Sequence, residues 1–224
     1  MPRAAVPFEN VAEMLEQLGG INPRRVRSWP PPGQATEKDL LTILDRENRI
    51  CELVDGVLVE KVIGMKESLI AADVIGYLSP FVKKHDLGIV AGTDGPFRLL
   101  TRLIRFPDVA FVSWEQLPDH EYPTKPIPDL HPDLAVEVLS EGNTDKEMER
   151  KLKEHFLAGT RLVWFVDSDR RRVTVYNSPD DAIELGESDT LTGGRVLPGF
   201  SLALKSLFAR LPKPPRKNGK RSKK

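Results

Sequence analysis

Two acidic residues stand where the surrounding sequence is apolar. Asp108 follows Pro107 and opens the run Val109-Ala110-Phe111-Val112, and Glu137 lies inside Leu134-Ala135-Val136-Glu137-Val138-Leu139. Burying an ionised carboxylate in such a strand costs on the order of several kcal/mol unless a partner compensates it. One such partner is a hard dication, because Mg²⁺ takes oxygen ligands and is held by carboxylates together with water and substrate phosphate. The other is an arginine, and Arg105 and Arg161 are both available. If the two acids lie on adjacent strands they can share one ion. The chemistry then open to them is activation of a phosphate ester and of the water that attacks it.

A lysine follows at a telling helical phase. At about 100° per residue, Met148, Leu152, Phe156 and Gly159 form one stripe. Lys151 and His155 fall at the edge of that stripe, and Lys153 falls on the far side. The spacing therefore turns Lys151 toward the sheet that carries Glu137 and leaves Lys153 in water. An ammonium group there would orient the attacking water and oppose charge growing on the phosphate. A lysine that merely lays its stem across the rim of the core has the same phase.

These residues need a scaffold, and the patterning supplies one. Phe8, Val11, Leu15 and Leu18 repeat at helical spacing up to Gly19-Gly20, and a Pro- and Arg-rich connector follows. Thr36 to Asp45 reads as a capped helix. The strands Cys51–Val54 and Val57–Val62 flank Asp55-Gly56, the signature of a two-residue hairpin. Glu67 to His85 reads as a long helix, with Pro80 marking a kink or early end. Short apolar runs at 88–91, 97–100, 109–112 and 134–139 read as strands. A helix from Asn143 or Thr144 to Gly159 precedes a strand pair at 162–166 and 172–176. The order predicts an α/β (α+β mixed) fold, a mixed sheet with helices on its faces.

Composition narrows the class. With 224 residues, 40% hydrophobic and 29% charged, the chain is neither a disordered polar tract nor a disulfide miniprotein. No run approaches the roughly 18 apolar residues of a membrane helix, and Met1 to Pro7 lacks the apolar stretch of a secretion signal. A cytoplasmic location without a membrane partner is expected. The single cysteine, Cys51, can form neither an intrachain disulfide nor a thiolate metal motif and is expected to be a buried small apolar side chain. His85, His120 and His131 show no ligand spacing. Residues 213–224 carry seven Lys or Arg and no acid, leaving 26 basic residues against 33 acidic in the rest. Three segments are expected: a leader helix and connector over 1–35, one domain over 36–211 and a disordered basic tail over 212–224. The tail could also hold a polyanion.

In order along the chain stand Glu52-Leu53-Val54-Asp55-Gly56, Phe106-Pro107-Asp108-Val109-Ala110-Phe111-Val112 and Pro132-Asp133-Leu134-Ala135-Val136-Glu137-Val138-Leu139-Ser140. After them come Lys151 with Ala158-Gly159, Val163-Trp164-Phe165-Val166-Asp167 and Leu197-Pro198-Gly199-Phe200. This ordered set resembles the Uma-two family of endonucleases, relatives of the PD-(D/E)XK superfamily. The resemblance implies a restriction-endonuclease-like mixed sheet flanked by helices, with Asp108 and Glu137 as ligands of Mg²⁺ (or Mn²⁺) and DNA as the substrate. The superfamily carries a lysine two residues beyond the second acid, where this chain has Leu139; the family implies that the lysine's role has moved to Lys151. His155 stands where relatives usually carry a tyrosine, and Glu141 where they carry a proline. A further acid from the first core helix is implied, with Glu67 the first candidate and Glu52 the second. The expected activity is metal-dependent hydrolysis of DNA phosphodiester bonds, with a catalytically silent module that binds nucleic acid or protein, or an unrelated metal hydrolase, as alternatives. A homodimer is left open.

Overall fold

The computed structural model describes residues 8–212 apart from residues 48 and 63. The basic segment from residue 213 onward lies outside the described residues. The elements follow the hydrophobic patterning closely. Helix α1 (Val11–Gln17) is capped by Asn10, whose side chain accepts from the Glu13 N–H. Helix α2 (Glu37–Glu47) opens on a capping box, in which the Thr36 hydroxyl and N–H both donate to the Asp39 carboxylate at 2.6 and 2.8 Å. Strands β1 (Cys51–Val54) and β2 (Val57–Glu60) form the hairpin, with Val54 opposite Val57. Asp55 and Gly56 both take positive φ, as a two-residue turn matched to strand twist requires.

Helix α3 (Met65–Lys84) buries Ile70, Val74, Leu78 and Val82, one residue per turn along a single stripe. Each such side chain contributes about 1.5–3 kcal/mol on full burial. Pro80 does not end it. Pro80 and Gly76 are both exposed, so the carbonyl left without a helical donor meets water rather than apolar neighbours. Then come β3 (Gly88–Ala91), β4 (Phe97–Leu100), β5 (Leu103–Arg105), β6 (Val109–Ser113), β7 (Leu134–Val138), α4 (Asp145–Ala158) and β8 (Leu162–Asp167). The chain continues through β9 (Arg172–Ser178), β10 (Asp181–Gly186), β11 (Thr190–Gly193), β12 (Leu197–Ala203) and α5 (Leu204–Leu207). Cys51 is fully buried, and burial pushes its thiol up to about 11. No described helix is long and apolar enough to cross a membrane.

The strands assemble into a mixed six-stranded sheet, β10-β9-β8-β7-β6-β3, a four-stranded sheet, β2-β1-β5-β4, and the ribbon β11-β12. Within the large sheet only β7 and β8 run parallel, and α4 is their crossover. Side chains alternate across β7. Leu134, Val136 and Val138 enter the core beneath α3, whereas Ala135 faces α4 with Met148, Leu152, Val163 and Phe165. Val54, Val57 and Val59 of the small sheet pack with Ala110 and Val112 of β6. One face of the large sheet is thus shared between α4 and the small sheet, and a seam runs where the three meet.

Helix α4 is fixed at its start by the leader. The Thr144 hydroxyl donates to the Gly19 carbonyl at 2.5 Å and accepts from the Glu147 N–H. A Cβ on Gly19 would lie 2.6 Å from the Glu147 backbone, so only glycine permits this approach. Arg25 clamps the Glu147 carboxylate with two hydrogen bonds, at 2.8 and 2.9 Å. Arg25→Ala strands that buried carboxylate on the Asn143 amide alone, 3.3 Å away. The expected loss is about 2–3 kcal/mol, a melting temperature lower by roughly 5–10 °C. A drop under about 2 °C in a thermal melt would show that the pair does no more than offset its own desolvation.

Candidate active site

The seam is where the polar exceptions to the core collect. Glu52 and Arg105 lie one residue from Leu53 and Ile104 on β1 and β5, so they point away from the α2 side and toward the large sheet. Asp108 sits just before β6, already paired: its N–H donates to the Val136 carbonyl at 2.9 Å, and its Oδ2 accepts from the Val138 N–H at 2.7 Å. Glu137 leaves β7 on the face toward α4, from which Lys151 and His155 descend.

The charges interlock. Lys151 Nζ lies 3.2 Å from Glu137 Oε2 and 3.2 Å from Glu52 Oε1. Arg105 joins Glu52 to Glu154, at 2.6 Å each. His155 Nε2 stands 3.5 Å from Glu137 Oε1, and Lys61 Nζ lies 2.8 Å from Asp108 Oδ1 while donating to the Phe106 carbonyl. Glu67, at the start of α3, does not enter this cluster. It lines, with Lys61, Ser68, Thr93 and Asp108, a small cavity of about 40 Å³ onto which, of the cluster's acids, Asp108 opens. A larger cleft of about 590 Å³ lies on the opposite face of the small sheet, against Leu53 and Ile104, and does not touch the acids.

Of the sequence expectations, the phase of α4 is found as read: the Lys151 side chain is 4% exposed, and that of Lys153 is 58% exposed and paired with Glu149. The arginine partners offered for Glu137 are engaged elsewhere, Arg105 with Glu52 and Glu154 and Arg161 with Asp133. Asp108 stands one residue before β6, beside the strand β7 that carries Glu137. Glu52, second to Glu67 from the sequence, is fully buried at the centre. Lys61, Arg105 and, on Glu154, Arg150 carry the cluster's remaining positive charge; the sequence offers Arg105 as a partner for the buried acids but gives Lys61 and Arg150 no place there.

Proton affinities follow from this packing. Burial would raise the Glu137 pKa, but Lys151, the His155 hydrogen bond and Lys61 outweigh it and hold the carboxyl at about 2. Glu52 is likewise held low, by Lys151 and Arg105 against its own burial. Asp108 goes the other way: burial and the charge of Glu137 raise it despite Lys61. Burial would lower Lys151, yet Glu137 and Glu52 hold its ammonium well above the usual range.

A family model described as "Putative restriction endonuclease" (Uma2) matches residues 37–205. The chain belongs to the Uma2 family. The match spans every charged member of the cluster and leaves out α1 and Arg25. The crystal structure of "a putative nuclease belonging to DUF820" from Anabaena variabilis superposes with a TM-score of 0.65 at 19% identity, over 72% of this chain and 91% of that one. That likeness is one of fold. No curated protein is significantly similar to the chain.

Uma2 membership suggests metal dependence in general, and the donor chemistry suits it. Glu52, Asp108, Glu137 and Glu67 offer only carboxylate oxygens, the ligands of a hard dication. The arrangement is nonetheless already neutralised by lysine and arginine, and among the described residues no group of three or more His, Cys, Asp or Glu converges as a ready metal cage. This Uma2 centre is a charge-compensated set of carboxylates.

The depressed carboxylates fix the sign of its pH response. Glu137 ionises at about 2 when folded against an ordinary 4.5, so its pairing is fully present above about pH 4.5 and drains away as pH falls toward 2. Glu52 acts in the same sense. Asp108, raised, takes its proton more readily in the folded chain and offsets part of the loss. Urea unfolding at pH 7, 4.5 and 3 should show stability falling across the two lower values, and a shallower fall in Glu137→Gln. An identical fall in both proteins would remove Glu137 as its source.

Proposed function

We propose that this chain is a metal-dependent endonuclease that hydrolyses DNA phosphodiester bonds at the seam between α4 and the two sheets. The observation that carries the reading is the meeting, in a Uma2 chain, of Asp108, Glu137 and Lys151, the lysine 3.2 Å from the second acid. A bound Mg²⁺ or Mn²⁺ would polarise the scissile phosphate and acidify the attacking water. Asp108 and Glu137 would hold it, with Glu67 reaching in from the cavity mouth.

The chain's own groups account for the remaining work. Lys151 offers an ammonium group to orient the water and to oppose charge growing on the phosphate. Glu52, bridged to Arg105, positions that lysine by its second ion pair. The Val138 N–H fixes one oxygen of Asp108 and leaves the other turned toward Lys61 and the cavity. The basic residues beyond 212 would add affinity for the DNA backbone without regard to sequence.

Supercoiled plasmid incubated with Mg²⁺ or Mn²⁺ should be nicked, and chelation or Asp108→Ala should stop it together with Mn²⁺ binding. The compensated state of the carboxylates favours a second reading, a silent nuclease-fold module that binds nucleic acid or protein. Absence of both nicking and Mn²⁺ binding, with DNA retained in a mobility shift, would select that reading.

A further inference from the structure

The seam holds its charges in unequal ways. Arg105 and Lys151 each bridge two carboxylates, Glu52 with Glu154 and Glu52 with Glu137. Among the described residues Lys61 has one carboxylate in ion-pair contact, Asp108, and completes its bonding with the Phe106 carbonyl, acting on Glu52 and Glu137 only through space. It also stands outermost, on the small cavity it shares with Glu67. Around Glu52, Asp108, Glu137 and Glu154, the cations Arg105, Lys151, Lys61 and Arg150, the last paired with Glu154, balance the charge one for one. A dication entering this set unchanged would carry it two charges positive, in surroundings where water cannot screen the excess.

We propose that the Lys61 ammonium is the resident cation of the acidic centre and that a divalent metal ion binds by displacing it from Asp108. The inference rests on the metal reading above and adds the step that loading requires. Lys61 suits the role mechanically. Its backbone is anchored where β2 ends, by the N–H bond to the Ile50 carbonyl, while its four-carbon stem can carry the ammonium group toward the cavity mouth. Lys151 cannot leave so easily, because its departure would take the only ammonium from buried Glu137, leaving it His155 at 3.5 Å among the described residues, and one of two cations from Glu52, whereas Asp108 keeps the Val138 N–H when Lys61 goes. The device holds the acids compensated in the metal-free chain and reserves the position for an ion that can compete with a lysine.

The test is Mn²⁺ binding to the full chain, by calorimetry or by the loss of the free-ion resonance, for wild type, Lys61→Met, Lys61→Arg and the exposed control Lys153→Met. Lys61→Met should bind at least about tenfold more tightly than wild type, which corresponds to about 1.4 kcal/mol. Lys61→Arg should bind no more tightly than wild type, and the control should be unchanged. In the wild-type chain, reductive methylation followed by peptide mass spectrometry should label Lys61 slowly without metal and several-fold faster with Mn²⁺. That second readout decides the matter if Lys61→Met does not fold. If wild type binds Mn²⁺ but Lys61→Met binds no more tightly and labelling does not change, the displacement is overturned while the metal reading stands. If neither protein binds Mn²⁺, both fall.

Discussion

Lys151→Met should destabilise the chain by roughly 3–5 kcal/mol, a melting temperature lower by about 6–20 °C, the range found when one member of a buried ion pair is removed. The size follows from what remains. Methionine keeps the stem's volume but leaves Glu137 and Glu52 facing each other in a buried seam without the ammonium group between them. Adding Glu137→Gln to that variant should recover part of the loss, because the amide needs no counter-charge and the two changes share one contact. Thermal melts of the two single variants and the double variant measure this directly. Additive losses would show that the pair is not coupled and that Lys151 is held by packing alone.

Glu137→Gln by itself should separate chemistry from binding. Cleavage is expected to fall on the order of 10³-fold or more, the scale of losing a charged group at a phosphoryl-transfer centre. DNA binding should hold or tighten, because the substitution removes one negative charge facing the phosphate and preserves shape. Plasmid nicking beside a mobility-shift titration at fixed salt reads both quantities, with salt controlled because phosphate contacts depend steeply on it. Metal-dependent nicking undiminished in Glu137→Gln would place the reaction elsewhere in the molecule. Loss of binding in parallel with cleavage would instead mark a structural collapse, which the melt of the same variant would show.

How legible this centre was differs residue by residue, for physical reasons. Asp108 and Glu137 announce themselves because a charge inside an apolar strand needs an explanation, and Lys151 does so because helical phase is arithmetic. The same rule would have raised Glu52 above Glu67, since Glu52 stands between Cys51 and Leu53; Arg105 reads as a partner for the buried acids, and it takes Glu52 and Glu154 rather than Glu137. The brevity of strand β5 hides which acid Arg105 faces: three residues after a turn with Arg102 at positive φ give no period to read. Lys61 gives no local sign. It follows Glu60 inside the run 57–62 that reads as one hairpin strand, whereas β2 ends at Glu60, and only the approach of Asp108 from another sheet makes it internal. Strand β10 escaped for the opposite reason, because it is largely exposed and its side chains carry little hydrophobic alternation. The mixed sheet was legible because its inner strands are continuous apolar runs, whereas the division into two sheets sharing one face depends on pairings that no local window contains.

The contact between Gly19 and the Glu147 backbone bears on how this protein can be cut. The family boundary, at residue 37, is an evolutionary one; the mechanical boundary lies upstream, because the leader seats the very turn from which the lysine-bearing helix begins. A fragment trimmed to the shared span would uncover Val54, Val57 and Val59 where Met14, Leu18 and Ile21 now cover them. It would also release the Thr144 end of the helix from its seat. Such a fragment would invite self-association through the bared surface, and inactivity measured on it would speak of lost support rather than of lost chemistry.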